Sequence, residues 1–364
     1  MEGTVQHAVE SESARLAHAA GRAARQPLST VGVVLLLTAA ALIPFVVSSF
    51  YLLQFTMVVI TSIALLGLNL LTGYNGQISL GHGAFYAIGA YTTAILLEQT
   101  AVPYWATIPI AGGICLVVGF LFGLPALRLE GHYLALSTFT LAVATPQLLK
   151  FHALEPWTGG VQGIYVSTFA APPGVPLAWD QWLYLLSLSA AAVMFLLACN
   201  LLRGSTGLAI TAIRDNPIAA VSMGINLPLY KSATFGISAM YTGVAGALAA
   251  LVTQFVAPDS YSIFLSLGFL VGSVIGGVTS ISGAIFGALF IQFVPNFADQ
   301  ISKAVTWAVY GSFIIGFAAL APTGIAGFLT TIVRRLGLYS KAHQGPVPPL
   351  PRLGSGFELR KRSK

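Results

Sequence analysis

The chain has 364 residues, of which 56% are apolar and only 8% charged, with a mean hydropathy of +0.83 and a formal net charge of +6. A water-soluble domain carries about 25% charged residues because its surface must be hydrated, and eleven acids with seventeen bases cannot coat a soluble body of 38.1 kDa. Long apolar runs must therefore face lipid, which excludes a soluble enzyme, a disulfide scaffold, a nucleic-acid binder and a disordered chain.

Residues 1–27 form a polar leader carrying Arg15, Arg22 and Arg25. The apolar run behind it, 28–48, is long and no A-x-A-like cleavage site follows, so it reads as an uncleaved first span rather than a signal peptide. Further apolar stretches lie near 51–72, 80–97, 104–127, 132–149, 182–202, 230–255, 263–280, 282–298 and 304–329. Each meets or approaches the roughly 20 residues that a helix needs to cross about 30 Å of hydrocarbon. Their apolarity is continuous rather than alternating, which argues against a barrel, and their frequent glycines suit close helix packing in lipid. The fold class predicted is an all-α polytopic membrane protein of about ten transmembrane helices, with the membrane domain over 28–333 and a basic tail over 334–364.

The bases orient these spans. With a cytoplasmic N-terminus, fifteen of the seventeen bases fall inside: the three leader arginines, Arg128, Arg203, Arg214, Lys231, and eight from Arg334 to Lys364. Lys150 and Lys303 fall outside, together with the acids Glu98, Glu155, Asp180, Asp259 and Asp299. This positive-inside bias puts both termini in the cytoplasm and makes the tail a topology and lipid-headgroup feature rather than a nucleic-acid site. Two connections are long: an exterior loop, 150–181, with four prolines and three tryptophans in or beside it, and an interior segment, 203–229. Five spans on either side of the exterior loop would give a 5+5 inverted repeat.

The most unusual stretch is 69–91. Asn69, Gly73, Asn75, Gly76, Gln77, Ser79, Gly81, His82 and Gly83 crowd glycines and polar groups into an apolar setting. Irregular backbone within a bilayer is tolerated only where protein or a water-filled cavity satisfies it. Two readings fit: a break or re-entrant piece beside a translocation pathway, or a polar cytoplasmic turn between two spans. His82 likewise reads either as an intramembrane functional group or as a neutral hydrogen-bonding residue joining two helices.

In the interior segment, Arg214, Asp215, Asn216, Pro217, Ile218, Ala219, Ala220, Met223 and Gly224 form the second candidate site. Asp215 or Asn216 suits an N-cap, Pro217 a first helical position, and Gly224 a stop after about two turns. Such a short capped helix is either a docking element for another protein or an ordinary connector. There is no phosphate-binding G-x-x-x-x-G-K-[ST] loop, no nucleophile elbow, no metal-ligand set and no acid inside a span, so no catalysis and no cofactor are expected. Cys115 and Cys199 read as buried packing thiols.

These segments also carry a resemblance. Gly67-Leu68-Asn69 through His82-Gly83-Ala84-Phe85 and Gly89-Ala90-Tyr91, then Ala126 through Gly131 and Tyr133-Leu134-Ala135, are similar to blocks of the permease subunits of branched-chain amino acid ABC importers, of the LivM type. Thr158-Gly159-Gly160 with Gly163-Ile164, the Arg214–Gly224 block, Ser282-Gly283, Pro322, Gly324 and Gly327 continue it over roughly 50–330. The resemblance implies the ten-span, vitamin-importer-like (type II) ABC permease fold in a bacterial inner membrane. It implies ATPase subunits docked on the 214–224 block, a second permease (LivH-like or a copy of this chain) and a periplasmic solute-binding protein. The solute implied is a branched-chain or other hydrophobic amino acid; related permeases import urea, short amides or other small solutes, and a stand-alone facilitator would share the spans but not need a docking helix. Pro217 stands where relatives commonly have an acid, and 132–149 lacks a glutamate that many of them carry.

Overall fold

The computed structural model describes residues 27–126, 131–167, 177–301, 311–312, 315–316 and 324–328. Among these residues eleven α-helices of six residues or more run in the order α1 Pro27–Val46, α2 Ser49–Leu68, α3 His82–Gln99, α4 Tyr104–Ala126, α5 His132–Leu149, α6 Trp179–Arg203, α7 Ser205–Asp215, α8 Pro217–Ser222, α9 Leu227–Thr253, α10 Ile263–Gly276 and α11 Gly283–Ile301. Nine of them lie where nine of the ten predicted spans were placed. The tenth, 304–329, falls mostly outside the described residues, as do the leader and the basic tail. Among the described residues, five stretches are long and apolar enough to cross a membrane: Ser49–Tyr74, Tyr104–Pro125, Trp179–Arg203, Leu227–Thr253 and Pro258–Gly276.

The sequence punctuates these helices by known means. The Asn226 side chain accepts from Leu229 N–H at 3.2 Å and Pro228 follows it, starting α9. Gln254, in the left-handed region at φ 56°, stops it. α2 and α9 are the most buried helices and form the centre. α9 packs along α4, α3 and α2, while α2 also packs against α6, α10 and α11. Lipid tails are as apolar as leucine, so such contacts depend on close van der Waals packing rather than on expelling water.

Glycines set how close the helices come. A side chain on Gly89 of α3 would collide with the Gly243 carbonyl of α9, and one on Gly246 with the Tyr86 carbonyl. On the other side, a Cβ at Gly236 of α9 would lie 2.9 Å from the Leu116 carbonyl of α4. Backbone therefore meets backbone along both seams. Outward faces stay apolar, with Leu36, Val117, Leu121 and Leu196 all exposed, as expected of helices that meet lipid.

The structure adds two elements to the sequence reading and corrects one expectation, that both cysteines are buried. Among the described residues, Ile164–Tyr165 (β1) pairs antiparallel with Phe255–Val256 (β2), tying the loop after α5 to the turn after α9. In 203–229 the expected short helix is α8, and a further helix precedes it, α7, long enough to carry its own buried face of Gly207, Ala209, Ile210 and Ile213. Cys115 is buried with its thiol against the Phe85 carbonyl, but Cys199 is only half-buried.

Candidate functional site

The glycine-rich stretch breaks the helix in two stages. α2 first widens into a π-helical turn, Asn69–Tyr74, a form of backbone irregularity that recurs at functional sites. Residues 75–81 then leave helical geometry until α3 starts at His82. Gly73 is required because the backbone of Val278 occupies the place of its side chain, and Gly76 because its φ is 73°.

The polar residues of the break bond to distant parts of the chain. Asn69 is fully buried; its amide donates to the carbonyls of Gly277 (3.4 Å) and Ser280 (3.1 Å), and its oxygen accepts from Ser273 Oγ (2.5 Å). Gln77 donates to the Lys231 carbonyl at 3.4 Å. The Leu80 amide donates to Thr138 Oγ1 at 2.9 Å, and the Gly83 amide to Ser266 Oγ at 2.8 Å. The Ser238 hydroxyl donates to the Gly67 carbonyl at 2.6 Å, so the 2.7 Å contact to His82 must be Nε2–H donating to Ser238 Oγ. In the neutral imidazole this leaves Nδ1 to accept from Ser79 Oγ, 3.1 Å away. Ser79 Oγ also accepts the Gly81 amide at 3.3 Å. His82 thus joins α3 to α9, and through Ser238 to α2.

These contacts locate the break along α9. Gln77 is level with Lys231 and His82 with Ser238. Seven residues at ~1.5 Å each put those levels about 10 Å apart, so the non-helical backbone climbs back alongside α9 instead of turning at its end. Protein groups accept its Gln77, Leu80 and Gly81 amides, as low-dielectric surroundings demand. Gly76 and Ile78 are exposed, while Asn69, Asn75, Gln77, Ser79, Gly81, His82 and Gly83 are buried. Asn75 differs from its neighbours: both atoms of its side-chain amide are buried without a hydrogen-bond partner.

The second segment is built for rigidity. Asn216, and not Asp215, is the N-cap of α8; its side chain accepts from Ala219 N–H at 3.1 Å while Pro217 takes the first turn. Asp215 instead ends α7 and pairs with Arg214 at 2.9 Å. At the other end Gly224, at φ 85°, closes a Schellman motif, with Ile225 N–H donating to the Ala220 carbonyl at 3.1 Å and Gly224 N–H to Val221 at 2.9 Å. Ala220 faces inward at 3% exposure. Ile218, Val221 and Met223 face outward at 81%, 53% and 85%, an apolar strip along a six-residue helix and its C-cap.

The structure brings the two candidate segments together. Arg214 Nη1 donates to the Gly73 carbonyl at 2.8 Å, and its side chain packs where a Cβ of Gly76 would point. Nothing in the sequence announces this contact, which joins residues 141 positions apart. Sequence reasoning also missed Ser238, Ser273 and Thr138, because isolated serines and threonines in apolar helices carry no pattern of their own. Among the described residues no group of three or more His, Cys, Asp or Glu could hold a metal ion.

The sequence pattern of the family described as "Branched-chain amino acid transport system / permease component" matches residues 49–321. The chain is 34% identical over 279 residues to the "High-affinity branched-chain amino acid transport system permease protein LivM" of Salmonella typhimurium, covering 70% of this chain and 65% of that protein. It is 34% identical over 281 residues to the protein of the same name from Escherichia coli, covering 71% and 66%. The "Probable branched-chain amino acid transport permease protein LivH" of Methanocaldococcus jannaschii is 24% identical over 271 residues, covering 71% of this chain and 85% of that one. The chain thus spans about two thirds of the length of the two LivM relatives. No solved structure matches.

Proposed function

The chain belongs to the family of branched-chain amino acid transport permease components, multi-pass membrane proteins, and from that premise we propose that it is the membrane-spanning subunit of an ABC importer for branched-chain or other hydrophobic amino acids. One observation carries the mechanical part of this reading. A helix capped at both ends presents Ile218, Val221 and Met223 outward while its neighbour Arg214 holds the glycine break. An apolar strip on a rigid six-residue helix suits insertion into a cleft on an ATPase subunit. ATP hydrolysis belongs to that partner, since this sequence has no phosphate-binding loop. The substrate class rests on what the names of the LivM relatives say they transport.

The helix packing supports a ten-span, inverted-repeat, vitamin-importer-like plan. α9 packs on α3 and α4, and those two on each other; α2 packs on α10 and α11, and those two on each other. That is the exchange of partners a pseudo-two-fold relating spans 2–4 to spans 7–9 would produce. Both termini lie in the cytoplasm of a bacterial inner membrane, on the side of α7 and α8. A second permease, either LivH-like or another copy of this chain, completes the pathway. A periplasmic solute-binding protein docks on the opposite face, where Glu155 and Asp259 are exposed, Asp259 beside Lys150 at 2.5 Å.

The test is purification of the tagged chain from its membrane with identification of what co-elutes. A subunit bearing a G-x-x-x-x-G-K-[ST] loop elutes with the native chain and is lost from Ile218→Glu and Met223→Glu variants that still reach the membrane. Elution of the native chain without such a subunit overturns the importer reading in favour of a stand-alone facilitator.

A further inference from the structure

The geometry points to Arg214 as a positioning residue that transmits movement of the docking helix to the glycine break and to the turn between α10 and α11, by way of the π-helical turn Asn69–Tyr74. This rests on the docking reading of α8 given above, and deepens it. The line of contact is continuous. The Arg214 guanidinium holds Asp215 through Nε and Nη2 at 2.9 Å each, and the Gly73 carbonyl through Nη1 at 2.8 Å. Gly73 is wedged on its other side against the Val278 backbone, in the turn between α10 and α11. One turn back, Asn69 bonds to Gly277, Ser280 and Ser273 of that turn and of α10. A displacement of α8 pulls on Asp215 and Arg214, hence on Gly73, and Gly73 cannot move without displacing the 277–280 turn.

Two features show where this line yields. A π-helical turn is a rare, single-turn irregularity of a helix that recurs at functional sites. Asn75, next along the chain, keeps both side-chain amide atoms buried and unbonded. That amide holds no bond that a shift of the break would have to break. The forked side chain of Arg214 matches what such a link requires, because a guanidinium can hold a carbonyl and a carboxylate at once in fixed directions, and an ammonium cannot.

The experiment uses the affinity-purified assembly in proteoliposomes, with leucine as the solute probe. A nitroxide is placed at Ile78, an exposed position in the break, in a Cys115→Ser, Cys199→Ser background. Trapping with ATP and vanadate changes the label's mobility in the parent. In Arg214→Gln the ATPase subunit still co-purifies, the mobility change disappears, and leucine carried per ATP falls at least tenfold. Arg214→Lys, which keeps the charge but not the fork, falls between the two. The inference is overturned if Arg214→Gln keeps the mobility change and its leucine-to-ATP ratio, or if the parent label does not respond to nucleotide. It is equally overturned if Arg214→Gln sheds the ATPase, which would make the residue part of the docking surface itself. Failure of the parent to bind any ATPase refutes the docking reading instead.

Discussion

Replacing His82 and Ser238 singly and together tests whether the break is held by the hydrogen-bond chain from Ser79 to Gly67. Ser238→Ala removes two bonds, the 2.7 Å bond from His82 and the 2.6 Å bond to the Gly67 carbonyl. Hydrogen bonds between membrane helices average ~0.6 kcal/mol, so this variant should lose about 1.2 kcal/mol. His82→Ala removes the bonds to Ser238 and Ser79, again about 1.2 kcal/mol by the same average, and also vacates the space of a fully buried ring. Large-to-small cavity costs bring the loss to about 3 kcal/mol. The pair shares one bond, so the double variant should lose about 0.6 kcal/mol less than the sum of the singles. Equilibrium unfolding in mixed detergent micelles, followed by near-ultraviolet circular dichroism, gives all four values. A coupling of zero, or a His82→Ala loss below about 0.5 kcal/mol, would refute the view that this histidine fastens α3 to α9.

Other expectations follow from the same geometry. Gly73→Ala forces a methyl into the Val278 backbone and should cut the folded yield in the membrane severely, whereas Gly113→Ala, with nothing near its side-chain position, should be neutral or stabilising by up to about 1 kcal/mol in a thermal-stability assay. Asn216→Ala removes the cap of α8, and a loss of ~1 kcal/mol should weaken ATPase affinity about fivefold in a titration of the two subunits. In a background lacking both native cysteines, Val161→Cys should react with an impermeant reagent from the outside and Met223→Cys only from the inside; both positions are well exposed, and the reverse pattern would invert the proposed orientation. Calorimetry on the solubilised chain alone should detect no leucine binding at micromolar concentrations, because Asp, Glu, Lys and Arg occur in its described spans only near their ends, leaving no fixed charge to pair with a zwitterion.

Helix positions were legible because nothing but a long apolar run satisfies a bilayer, and prolines, glycines and charges mark where each run stops. The Asn216 cap and the Gly224 stop were legible for the same local reason. Long-range bonds were not. Asn69 lies in sequence among residues suited to a pathway, and its role as a buried fastening depends on carbonyls more than 200 positions away. The separate helix α7 ahead of that cap is also hard to read, since only Asn216 stands between it and α8. The β1–β2 ribbon is two residues per strand, too short for an alternating pattern to register.

The glycine seams have a mechanical consequence. Where Gly89 meets Gly243, and Gly246 meets Tyr86, no side chain stands between the helices to change rotamer and absorb a shift. α3, α4 and α9 therefore behave as a stator, able to move only as one piece. The give in any working cycle has to come from elements fastened by side chains, such as α1, which Gln181 and Tyr184 hold by the carbonyls of Pro44 and Ala40. Amide exchange should accordingly be slowest along the two seams and faster in α1; uniform exchange across all four helices would show that the glycines confer closeness without stiffness.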